Sequence, residues 1–170
     1  IKTSTPAPCR KFLKDAFKLL MNGTEDEVID YIEECRKEFK TLPPSEIAFP
    51  RTVSNVEKWK SPSDMYLKGC PIHVRGAILY NHYTKKKQID HKYSAINNGE
   101  KIKFCYLKTP NWMHENVISF IQDFPTELDL DKHVDYDLQF SKAFLDPIKV
   151  ILDCIGWETE RKNTLESFFS

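Results

Sequence analysis

The junction Asn22-Gly23-Thr24 constrains the fold of this chain more than any other stretch. Before it, Cys9, Phe12, Leu13, Ala16, Phe17 and Leu20 recur at three- and four-residue steps, which places them on one face of a helix. After it, Val28, Ile32, Cys35 and Phe39 repeat the pattern. Thr5 is positioned to cap the first helix, Pro6 suits its first turn, and Asn22-Gly23 supply a left-handed stop. Thr24 and Glu27 have the spacing of a capping box, acidic residues fill the positive N-terminal turn, and Arg36 and Lys37 lie near the negative end. Two amphipathic helices with so short a connection pack antiparallel. Phe12 and Phe17 are read as core of that hairpin.

The remainder predicts less helix and a little sheet. TLPPSEIAFPRTVSNVEKWKSPSD is a proline-punctuated loop, and PIHVRGAILYNHY is a short helix starting at Pro71. Gly76 within it costs about 1 kcal/mol relative to alanine, which marks a place of close backbone approach. An Asn-Asn-Gly turn leads to a strand over 102–107, and a second strand is expected over 116–120. A final long helix over 136–155 carries Leu138, Phe140, Phe144, Ile148, Ile151, Leu152 and Ile155; Pro147 should kink it and Gly156 end it. The expected class is α+β, mainly helical, with a helical hairpin, a small antiparallel sheet and a long C-terminal helix. There is no internal repeat.

Length and composition, 170 residues with 41% hydrophobic, suit one domain with a real core. No run of about eighteen apolar residues is present, so no membrane span is predicted. The chain starts at Ile1 without a basic-then-apolar leader, and the expectation is a piece of a longer protein with no secretion signal. Five widely spaced cysteines have neither metal-ligand nor disulfide-framework spacing, so they are read as reduced, intracellular thiols serving as small apolar residues. The net charge of zero hides a division: residues 41–110 hold twelve Lys/Arg against five Asp/Glu, and residues 111–170 hold five against twelve. A basic middle points to a face that meets a polyanion. The same counts suit an ordinary solvated surface, and counts alone do not choose.

Catalytic patterns are missing. His73, His82, His91, His114 and His133 form no HExxH pair and no His/Cys cluster, and no GxxxxGK[ST], GxGxxG or GxSxG occurs. The carboxylate pairs Asp129/Asp131 and Asp135/Asp137 lie at a loop-to-helix boundary and read as caps and first-turn charges. No catalytic residue, metal ligand or cofactor is therefore assigned within the chain, which reads as one that holds.

Its candidates for holding lie in two segments. AFPRTVSNVEKWK offers Arg51, Thr52, Ser54, Asn55, Lys58 and Lys60; hydroxyl, amide and cationic side chains contact phosphates without reading sequence. GCPIHVRGAILYNHYTKKK adds His73, Arg75, Asn81, Lys85, Lys86 and Lys87. Arg75 stands out because Gly76 beside it would let a phosphate backbone come near. A solvated loop and a solvated lysine run are the competing reading. No helix carries the clustered Arg, Asn and Gln of a sequence-specific reader.

IKTSTPAP with the hairpin behind it, RTVSNVEKW, GCPIHVRGAILYN, GEKIKFCYL and the closing TLESFF, in this order, resemble the end of the palm and the thumb domain of family B replicative DNA polymerases of T-even-type bacteriophages. The resemblance covers essentially the whole chain, and GCPIHVRGAILYN is its most specific element. It implies a division into the end of a palm or linker (1–5), a duplex-gripping thumb (6–160) and a clamp-binding tail (161–170). In that family the thumb grips the minor-groove side and the phosphate backbones of primer-template duplex, and helps pass the primer end between the polymerase and 3′→5′ exonuclease sites. The aspartates that bind the two Mg2+ ions lie in the palm and exonuclease, outside this chain. Carried over by position, Arg51, Thr52, Ser54, Asn55 and Lys58 match a loop touching primer-strand phosphates, and His73, Arg75 and Asn81 match an element that contacts or buttresses the duplex. The family pattern has a small hydroxyl residue at the place of Arg51.

The tail matches a peptide that docks on the ring-shaped sliding clamp: Leu165, Phe168 and Phe169 have the i, i+3, i+4 spacing that one helical turn places on one side. Burying each is worth roughly 1.5–3 kcal/mol before ordering costs, which suits a releasable tether of micromolar or weaker affinity. The resemblance further implies the remaining polymerase domains (palm, fingers, exonuclease) as partners and the cytoplasm of an infected bacterial host as the location. A stand-alone clamp- or DNA-binding adaptor without polymerase activity is the alternative.

Overall fold

Helices α1 (Ala7–Asn22) and α2 (Glu25–Thr41) form the hairpin, packed side by side through Cys9, Phe12, Leu13 and Ala16 on one and Val28, Ile32, Cys35 and Phe39 on the other. The structure is a computed structural model and describes residues 1–161. Thr24 caps α2, its hydroxyl accepting from the Glu27 amide at 3.3 Å. Two local expectations are corrected. Pro6 rather than Thr5 occupies the capping position of α1, and no side chain caps it. Gly23 is extended (φ −98°, ψ 174°), not left-handed. A Cβ there would lie 2.7 Å from the Leu19 carbonyl oxygen and 2.9 Å from Leu19 Cδ1, so the turn needs a missing side chain and not a positive φ.

The stretch read as a loop contains three short elements: α3 (Pro44–Ile47), β1 (Phe49–Thr52) and α4 (Val56–Trp59). Pro50 hid the strand from a sequence reading. It is tolerated because β1 is an edge strand, where one row of backbone donors lacks a neighbour. Helix α5 (Ile72–Lys86) runs longer than PIHVRGAILYNHY. Strands β2 (Lys101–Tyr106) and β3 (Val117–Phe120) complete an antiparallel sheet of order β1-β2-β3, with Phe49 opposite Phe104 and Phe104 opposite Ser119. All four residues of β3 are buried, so both faces of the sheet are covered at this strand. Helix α5 lies against β3, and α3 and α6 (Tyr136–Phe140) lie against β2.

From α6 the chain continues helically through a π turn (Ser141–Leu145) into α7 (Asp146–Ile155), which ends at Gly156 in the left-handed region. The expected disturbance before Pro147 takes the form of this wider turn. Asp135 caps α6, accepting from the Leu138 amide at 3.0 Å, as its sequence position indicated. One apolar cluster runs from Cys9 to Leu152 and includes the Phe12–Phe144 and Phe39–Phe140 ring contacts. Cys9, Cys35 and Cys105 are buried within it, and burial pushes the Cys9 thiol up to about 12 and the Cys35 thiol up to about 11. Cys154 departs from the small-apolar reading, since it is exposed.

Candidate nucleic-acid interface

Arg51 and Thr52 end strand β1, and the chain then turns outward. Ser54 and Asn55 are exposed, Asn55 in the left-handed region (φ 57°), and they lead into α4, whose Lys58 projects to solvent over Trp59. Backbone bonds hold the turn from behind. The Val53 amide donates to the Glu100 carbonyl at 3.0 Å, the Gly99 amide donates to the Val53 carbonyl at 2.8 Å, and the Val56 amide donates to Asn98 Oδ1 at 2.8 Å.

Asn81 fastens the same support to α5. Its Nδ2 donates to the Ile96 carbonyl at 3.0 Å, and its Oδ1 accepts from the Ile96 amide at 2.7 Å. The RTVSN turn and Asn81, distant in sequence, are thus joined through residues 96–100. Between α4 and α5 lies an open groove of about 620 Å³, lined by Lys60, Asn81, His82 and Lys85, with Glu57 and Asp90 as its acidic members. Lys60 pairs with Glu57 at 2.8 Å.

Arg51, His73 and Arg75 occupy a more enclosed setting. Arg51 donates from Nη1 to the carbonyls of Ser4 at 3.0 Å and Pro50 at 2.8 Å, and its guanidinium lies over Phe49 and Phe104. His73 is half-buried beside Phe104. Burial first and the Arg51 charge second hold its imidazole below the usual histidine value, partly offset by the Thr52 backbone. Arg75 pairs with Glu115 at 3.0 Å, with both side chains largely enclosed, and packs over Tyr66, whose hydroxyl donates to Glu115 at 2.8 Å.

Gly76 serves Ser119 of β3, not an incoming phosphate: it is buried, and the space its Cβ would fill is taken by that residue. The sequence argument for Arg75 is corrected accordingly. The lysine run divides around α5. Lys85 lines the groove, while Lys86 and Lys87 lie on the other side over Tyr83 and Trp112.

Sequence reading missed three residues of this surface. His82 shares a helix face with Ile78 and Lys85, a spacing that was available to find it. Glu115 and Trp112 come from a segment far from their partners, and no local pattern announces them. Leu165, Phe168 and Phe169 lie outside the described residues.

Over 172 aligned residues the chain is 23% identical to the DNA-directed DNA polymerase of Enterobacteria phage T4, and the match takes in 99% of the chain. It is 27% identical over 174 residues to the DNA-directed DNA polymerase of Escherichia phage RB69, again across 99% of the chain. The chain is similar to a phage DNA polymerase segment. It spans 19% of the length of each of these polymerase relatives. No protein-family model matches it. The match to the polymerases runs through the hairpin, the RTVSN turn and α5 alike, since almost no residue of the chain falls outside it. Among the described residues no three His, Cys, Asp or Glu side chains are grouped so as to hold a metal ion, and no helix is long and apolar enough to cross a membrane.

Proposed function

We propose that this chain is the thumb portion of a family B DNA-directed DNA polymerase of a phage, and that it holds newly made primer-template duplex. The carrying observation is the match to two phage polymerases along 99% of its length. The geometry supports it. Thr52, Ser54, Asn55 and Lys58 stand exposed on a turn braced from behind, and exposed hydroxyl, amide and ammonium groups bond phosphate oxygens irrespective of sequence. Lys85 adds a cation in the groove beside α5, and Lys86 and Lys87, outside the groove lining, extend the positive field. Arg51, His73, Arg75 and Asn81 act by buttressing, each engaged with protein groups that fix the turn, α5 or the N-terminal segment.

In this reading residues 1–5 leave the palm, 6–160 form the gripping domain, and 161–170 carry the tether to the sliding clamp through Leu165, Phe168 and Phe169. The grip helps transfer the primer end between polymerase and 3′→5′ exonuclease sites. The two-Mg2+ chemistry is assigned to the rest of the enzyme, and no step of it is drawn through this chain. The protein would work in the infected bacterial host.

Duplex binding by the chain, measured at several salt concentrations with two unrelated sequences, tests the proposal. The expectation is equal affinity for both and a steep linear fall of log K with log salt. A preference for one sequence, or no salt dependence, would overturn the phosphate grip.

A further inference from the structure

Outside the groove lining, Trp112 is held by its neighbours while a substantial part of its surface, 37%, stays exposed. Its Nε1 donates to the Leu128 carbonyl at 2.7 Å, and the Tyr83 ring meets it edge to face with centroids 4.9 Å apart. Tyr83 in turn meets exposed His82 at 4.8 Å, so three rings from two segments are stepped along one edge. Lys87 Nζ lies 4.3 Å from the centre of the Trp112 ring, and Lys86 Nζ lies 6.0 Å from that of Tyr83. On the turn that holds the indole, Glu127 pairs with Lys92 at 3.2 Å, and exposed Asp129 follows Leu128.

We infer that the Trp112–Tyr83 edge, with Lys86 and Lys87, is a second nucleic-acid site that takes unpaired bases of single-stranded DNA. An aromatic face offers nothing to a base stacked inside a duplex, but it stacks an unpaired base of any identity, and neighbouring cations take the adjoining phosphates. The indole is preorganised by its hydrogen bond and by Tyr83, so little rotamer freedom is lost on binding. Lys87 covers the indole in the free protein. Its flexible four-carbon stem lets the ammonium move to a phosphate when a base takes its place. This goes beyond duplex holding: it is a different ligand, on Tyr83, Trp112, Lys86 and Lys87, which lie outside the groove lining, with His82 alone shared between the two.

The test uses the 170-residue chain with Trp59→Phe and Trp157→Phe, leaving Trp112 as the sole indole emitter. Oligo(dT) of twelve nucleotides is titrated at low salt, with a duplex hairpin titrated in parallel. Expected is saturable quenching of Trp112 by oligo(dT). For the variants binding is read instead by the anisotropy of a fluorescein-labelled oligo(dT): Trp112→Ala should weaken it about 5- to 150-fold, the range of one lost stacking contact, and Trp112→Phe should retain most of it. Lys87→Ala should lower the salt slope for oligo(dT), and Lys58→Ala should weaken the hairpin only. Absence of quenching at saturating oligo(dT), or equal affinity of wild type and Trp112→Ala, would overturn the site. If Trp112→Ala does not fold, the quenching titration and the Lys87→Ala slope decide. Loss of hairpin binding alone would sink the duplex grip and leave this site standing.

Discussion

Ser119 stands where a side chain on Gly76 would have to go: a Cβ at Gly76 would lie 2.8 Å from the Ser119 backbone nitrogen. The serine cannot move aside freely, because its Oγ donates to the His73 carbonyl at 2.8 Å, one turn earlier on the same helix. The glycine that weakens α5 locally is therefore what lets α5 lie against β3. Gly76→Ala gains about 1 kcal/mol in helix propensity but incurs overpacking of about 1–3 kcal/mol. The expected result is net destabilisation of up to about 2 kcal/mol, read as a lower urea midpoint at unchanged m-value.

Arg75 and Glu115 form a pair whose side chains are 20% and 17% exposed. Arg75→Ala leaves the carboxylate with Tyr66 alone, and the expected loss is about 1.5–3 kcal/mol, the scale of a hydrogen bond to a charged group. A double-mutant cycle with Glu115→Gln should give a coupling above about 0.5 kcal/mol. Additive effects of the two changes would mean the contact contributes nothing of its own.

Lys58 and Asn81 should separate charge from support in duplex binding. Lys58→Ala removes a phosphate contact, so the magnitude of the salt slope should fall by about 1. Asn81→Ala removes two hydrogen bonds to Ile96 and leaves every charge in place. It should speed hydrogen exchange of the Ile96 amide and weaken binding with the slope unchanged. A slope change in Asn81→Ala equal to that of Lys58→Ala would contradict the bracing role.

His73 makes stability depend on pH in a definite direction. Its folded value lies below the 6.5 of the free side chain, because burial and the Arg51 charge disfavour the proton. Above 6.5 both folded and unfolded chains hold it neutral, and the stability it contributes is complete. As pH falls through 6.5 toward the lower folded value, the unfolded chain takes the proton first and that stability is lost. The urea midpoint of wild type should drop over this window, and His73→Gln should flatten part of the drop. Identical pH profiles for the two proteins would remove His73 as the cause.

The closing residues carry their own prediction. A peptide of the last eleven residues should capture a phage sliding clamp, and the same peptide with Phe168→Ala and Phe169→Ala should not. Equal recovery by both would eliminate the tether.

By itself the sequence determined what depends on neighbours along the chain. The hairpin, the capping by Thr24 and Asp135, the strands around 101–106 and 117–120 and the helix ending at Gly156 follow from helical or strand periodicity and end signals, which act within a few residues. The order of its motifs also carried the polymerase resemblance. Only the tertiary structure decided what those residues face. Strand β1 exists because β2 offers it a ladder, which a local reading of Phe49-Pro50-Arg51-Thr52 cannot foresee. Arg75 became the partner of Glu115, and Gly76 the seat of Ser119, through contacts forty or more positions apart. Charge and size are written residue by residue, but whether a cation meets solvent or a carboxylate is settled by packing. Packing is a property of the whole chain, because it is set by which distant surfaces exclude water together.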